Sequence, residues 1–164
     1  MHPIHLLALL AAFALPAHAQ HAHGEGRLDV VIDKDSLAIN LELPLDAAVG
    51  FERAPRNERE KAALAAAEKA LGDAALFVPT PAANCKAQTP EVVMPAFVAR
   101  AGANGHGDID ASYVYRCANP AALKSIETGI FKSFKRLYRL EAQRVGPAGQ
   151  GAARLTPKNP AIAW

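Results

Sequence analysis

Arg27-Leu28-Asp29-Val30-Val31-Ile32-Asp33-Lys34-Asp35-Ser36-Leu37-Ala38-Ile39-Asn40-Leu41-Glu42-Leu43 is the stretch on which the fold turns. Leu28, Val30 and Ile32 alternate with Arg27, Asp29 and Val31. After Asp33-Lys34-Asp35-Ser36 the alternation resumes with Leu37, Ile39, Leu41 and Leu43. Apolar residues at a period of two predict strands with one buried face, and a short polar break between two such runs predicts a hairpin. Continuing the first strand backwards at the same period puts His21, His23 and Glu25 on the face of Arg27 and Asp29, opposite the apolar set.

Downstream of the hairpin, Pro44 ends the second strand. Asn57 then reads as an N-cap with Glu60 at N3, and Leu64, Ala67 and Leu71 form an apolar stripe that Gly72 closes. The pattern predicts a helix over about 57–71. Thr80 to Pro90 carries two prolines, Pro81 and Pro90, and reads as a loop, and Val92 to Val98 as a strand interrupted by Pro95. Ala99 to Gly107 is a glycine-rich loop. Alternation returns from Ile109, with Ala111, Tyr113, Tyr115 and Cys117 on one face and Asp108, Asp110, Ser112, Val114 and Arg116 on the other.

Asn119-Pro120 resembles an N-cap with proline at N1, ahead of a strand carrying Ile126, Thr128 and Ile130 on one face. Phe131 to Lys135 reads as a compact turn. Leu137 to Val145 and Gln150 to Leu155, separated by Gly146-Pro147-Ala148-Gly149, predict a second hairpin, and Ala161 to Trp164 a short final strand. About seven strands that do not follow βαβ order predict an α+β fold, rich in β, with a mostly antiparallel sheet and one clear helix.

Ahead of the domain, Leu6 to Leu15 is a ten-residue apolar run followed by Pro16 and Ala17-His18-Ala19. Too short to span a bilayer, it reads as a signal peptide over residues 1–19, cleaved after Ala19, with residues 20–164 forming a single exported domain and no membrane insertion after cleavage. The net charge of +2 is spread over both signs and both halves, and no basic run interleaved with aromatics marks a nucleic-acid face. Cys85 and Cys117 are the only cysteines. An even count in an oxidising compartment favours a disulfide, and their wide separation lacks the C-x-x-C spacing of a redox pair.

Removal of residues 1–19 leaves three of the six histidines: His21, His23 and His106. Neutral imidazole and carboxylate are ordinary ligands for zinc and for copper, and two histidines at i and i+2 of an extended segment present both rings on one side. His21 and His23 have that spacing. Glu25, Asp29, His106, Asp108 or Asp110 would complete the set. Alone, a His-x-His at a chain terminus binds metal weakly, and a lone histidine in a glycine loop is more often solvated than ligating. The mature sequence has no G-x-S-x-G elbow, P-loop or G-x-G-x-x-G, and no catalytic constellation, so no enzymatic activity is expected.

Several segments in order carry a resemblance: His21-Ala22-His23-Gly24, Val49-Gly50-Phe51-Glu52-Arg53-Ala54-Pro55, Cys85, His106-Gly107-Asp108, Tyr113-Val114-Tyr115-Arg116-Cys117-Ala118-Asn119-Pro120, and Leu155-Thr156-Pro157-Lys158-Asn159. Together they resemble the ZrgA-like periplasmic zinc-binding family, long catalogued as a domain of unknown function in Gram-negative bacteria. The resemblance implies a periplasmic protein that binds zinc and assists its acquisition, with an ABC-type zinc importer or its periplasmic binding protein as partner. It carries the ligand role to His21, His23, His106 and Asp108, and supports the Cys85–Cys117 bridge. The long His/Asp-rich insertion that members often carry is reduced here to Ala99–Gly107 with His106 alone, which implies one modest exchangeable site, or a scaffold that has lost most of its metal capacity, rather than multi-ion storage. Two other expectations stay open: a disulfide-stapled envelope interaction module without a metal role, and copper in place of zinc.

Overall fold

The structure is a computed structural model that describes residues 23–99 and 107–164; the expected signal peptide, His21 and His106 lie outside the described residues. The deciding stretch folds as read. Strand β1 (Glu25–Asp33) and β2 (Ser36–Pro44) pair antiparallel, with Leu28 opposite Leu41 and Val30 opposite Ile39. Lys34, at φ +53°, makes the tight turn between them. After β2 come α1 (Leu45–Val49), α2 (Glu58–Leu71), and the short strands β3 (Phe77–Pro79), β4 (Cys85–Ala87) and β5 (Glu91–Val93). The long strand β6 (Asp108–Cys117) is followed by β7 (Ser125–Thr128), α3 (Ile130–Ser133), β8 (Arg139–Gly146), β9 (Gly149–Leu155) and β10 (Ala161–Ala163).

The larger sheet runs β4-β6-β2-β1-β8-β9, with β5 also paired to β6; a second sheet runs β10-β7-β3. Every pairing is antiparallel except β1 with β8. That parallel contact is possible because β1 and β8 are joined by a long crossover, from β2 through α3, rather than by a hairpin. The fold class is therefore as expected: α+β, rich in β, with antiparallel-dominated sheets and the Cys85–Cys117 disulfide.

One apolar core joins the sheets and α2. Leu28, Ile39, Leu41, Ile109 and Tyr113 of the larger sheet meet Leu64 and Leu71 of α2, together with Phe77, Ile126 and Phe131. Asn57 caps α2 as read, its side chain accepting the Glu60 N–H at 2.9 Å. The far end of the helix is tied to the sheet through tyrosine hydroxyls: Tyr113 donates to the Leu71 carbonyl at 2.7 Å, and Tyr115 to those of Ala74 and Phe77. Burial pushes the Tyr113 hydroxyl pKa upward and that of Tyr115 up to about 12, so both remain donors.

Three local expectations are corrected and one is refined. Cys85–Ala87, expected within a loop, is a strand, because β6 extends far enough to offer it an edge and Cys85 sits directly opposite Cys117. Ile130 leaves the strand face and opens α3, where the Thr128 hydroxyl accepts its N–H at 3.1 Å. Asn119 stands at the N-cap of a short 3-10 turn that Pro120 opens, as expected, but its side chain makes no capping hydrogen bond; its amide donates to the Ala82 carbonyl instead. The first strand does not run back through His23, because Gly24 adopts φ +74° and turns the chain away.

Candidate metal centre

The turn at Gly24 sets the position of His23. A β-carbon there would collide with the Tyr138 ring and would stand 2.7 Å from the Arg136 carbonyl, so only glycine fits both the space and the left-handed backbone. Tyr138 N–H donates to the Gly24 carbonyl at 3.0 Å, anchoring the turn on the segment between α3 and β8. His23 therefore leaves the sheet face and reaches across to α1.

On α1, Asp46 stands one residue inside the helix that follows Pro44. The helix begins where it does because the Leu45 N–H donates to the Gly107 carbonyl, tying the end of β2 to the start of β6. It ends at Gly50, φ +87°, whose N–H returns to the Asp46 carbonyl at 2.8 Å. The Arg136 guanidinium lies against the position a Gly50 β-carbon would take, with Nε 2.8 Å away. Beyond this reversal comes Glu52, in a bend held by its neighbour Arg53. The Arg53 guanidinium stacks on the Phe51 ring and donates to both Glu60 oxygens at 2.6 and 2.8 Å.

His23, Asp46 and Glu52 converge: one ligand atom from each lies within 4.8 Å of the other two. His23 Nδ1 and Asp46 Oδ2 are 2.7 Å apart. The imidazole is 79% exposed and the Asp46 side chain 20%. Asp46 Oδ1 is buried with no hydrogen-bond partner among the described residues. An unmatched carboxylate oxygen shielded from water is costly, and a cation beside it relieves that cost. One imidazole and two carboxylates form a donor set suited to a divalent transition metal.

The other expected ligands lie apart from this group. Glu25 is paired with the Arg139 guanidinium and accepts the Tyr138 hydroxyl at 3.2 Å, so its charge is already matched. Asp29 is held by Arg27 from the same strand face. Asp108, opposite Pro44, begins β6 beside the segment that leads into α1, while Asp110 lies opposite Glu42 farther along the sheet. Asp46 and Glu52 went unread as ligands. They sit in or beside the Val49–Pro55 segment that helps carry the family resemblance, but nothing in the periodicity shows that this segment folds back towards His23.

A disulfide-closed, β-rich α+β domain that gathers an imidazole and two carboxylates at one sheet end defines the class: a candidate metal-handling domain without a recognised catalytic motif. The chain belongs to the ZrgA family of zinc uptake proteins, whose family model matches residues 20–164. No curated protein matches the sequence closely enough to be named beside it.

Proposed function

We propose that this protein is a non-catalytic zinc-binding accessory of zinc acquisition, exported to the periplasm after removal of residues 1–19, with His23, Asp46 and Glu52 as the core of one exchangeable site. The observation that carries the reading is Asp46, which touches His23 through one oxygen and keeps the other buried and unmatched. For zinc to enter here the imidazole would carry its one proton on the exposed Nε2, leaving Nδ1 and Oδ2 both free to ligate, and their 2.7 Å separation would open to the roughly 3.3 Å kept by two ligands of one tetrahedral ion. The 4.8 Å spread of the donor group closes on the ion by side-chain rotation. His21 and His106 are the proposed completing ligands, and the exposed imidazole gives the ion an exit. Membership of a zinc uptake family supports zinc over copper as cargo; an ABC-type zinc importer or its periplasmic binding protein is the proposed recipient.

Calorimetric titration of the metal-free protein with zinc, alongside His23→Ala and Asp46→Asn, tests the reading. Saturable binding at micromolar or tighter affinity, weakened at least about tenfold by each substitution, is expected. Zinc binding unaffected by either substitution would remove this centre from the account. No saturable binding at all would instead favour an envelope interaction module.

A further inference from the structure

Arg144 is the one charged side chain buried among the described residues, at 5% exposure. It stands on the inward face of β8, where the neighbouring inward residues, Leu140 and Ala142, are apolar. Buried charges ordinarily carry a partner of opposite sign, yet no carboxylate among the described residues pairs with this guanidinium. Its surroundings hold it in place. The Trp164 ring stacks on it, with the guanidinium carbon 5.1 Å from the ring centroid, and Nη1 donates to the Gly149 carbonyl at 2.9 Å. Opposite on β9 is Gly151, where a β-carbon would come 3.2 Å from Nη2. A stacked, anchored guanidinium with N–H groups to spare is a pre-set fork for a carboxylate.

Arg144 lines a cleft of about 290 Å³ that is shared with Lys34 and Lys124, both exposed, and walled by Ile32, Leu123 and Trp164. Three cations and no side-chain anion line the cleft, while the apolar walls suit a short carbon skeleton. The volume lies at the small end of ligand pockets, about 300–1,000 Å³, which favours a metabolite-sized molecule over a polypeptide. We propose that this cleft binds a small organic polycarboxylate, with Arg144 as the orienting fork and Lys34 and Lys124 as flanking charges. The cleft adjoins the β1–β2 turn, whereas the His23 centre lies at the opposite end of β1, a strand about 30 Å long at ~3.3 Å per residue. The proposal is independent of zinc binding.

Trp164 is the only tryptophan in the chain, so its fluorescence reports on the cleft directly. Titrating the zinc-free protein with tricarballylate at constant ionic strength is expected to give a saturable change in emission, with a Kd below about 1 mM. Lys34→Gln combined with Lys124→Gln, both at exposed positions, should weaken binding at least about tenfold, and Arg144→Lys, which keeps the charge and loses the fork, should also weaken it. No saturable change, or a Kd the same in the wild type and the double-lysine variant, would overturn the proposal.

Discussion

At the residue scale, the metal centre depends on how each carboxylate is already satisfied. Glu25 has a guanidinium and a phenol; Asp46 has His23 on one oxygen and, among the described residues, no partner on the other. Two substitutions of the same kind should therefore act in opposite ways. Asp46→Asn keeps the shape and removes the charge whose partial burial is costly, so zinc affinity should fall at least about tenfold while metal-free stability changes by less than about 1 kcal/mol. Glu25→Gln breaks the pairing with Arg139 and should lower the unfolding midpoint while leaving zinc affinity within about twofold. Calorimetry and thermal unfolding of both variants check this, and an equal loss of zinc affinity in the two would restore Glu25 as a ligand.

At the element scale, α2 is governed by its first turn. Asn57→Ala removes the acceptor for the Glu60 N–H and should cost about 1 kcal/mol in chemical denaturation. Glu60 has a second role. The Arg53 side chain, and then the Arg56 N–H, hold its carboxyl down to about 2 from an ordinary value of 4.5. A carboxylate with a depressed folded-state pKa stabilises above its unfolded value, and that contribution is lost as pH falls from about 4.5 to about 2. Glu60→Gln should therefore be less stable than the wild type at pH 6, with the difference fading across that window in parallel thermal scans. A gap that persisted unchanged at pH 2 would assign the effect to packing rather than charge. This cap was legible in the sequence because an N-cap and its N3 partner are neighbours in the chain. The alternating strands were legible for the same reason, since burial of one sheet face imposes a period of two on the strand itself. His23 and Asp46 are 23 positions apart and meet only because Gly24 turns and α1 interrupts the chain after β2. Extending the strand period through Gly24 misplaced His23, since periodicity carries no information about a left-handed glycine.

At the scale of the whole molecule, β6 separates the disulfide from the metal centre. Its first residue, Asp108, lies opposite Pro44 beside α1, and its last, Cys117, is bridged to Cys85. Ten residues of extended chain put these ends about 30 Å apart. The bridge joins residues 32 positions apart and closes a loop that carries β5 and β6 but none of His23, Asp46 and Glu52, so its main effect is on the unfolded chain rather than on the site. Replacing both cysteines with alanine should lower stability by about 3–4 kcal/mol in the chain-entropy account, measured by denaturant titration. Zinc affinity, measured by calorimetry at a temperature where the variant is still folded, should stay within about twofold of the wild type, because none of His23, Asp46 and Glu52 depends on β4 for its position. If the folded variant lost zinc, the edge strand would have to be coupled to α1 through the length of β6, and the separation of stapling from metal handling would fail.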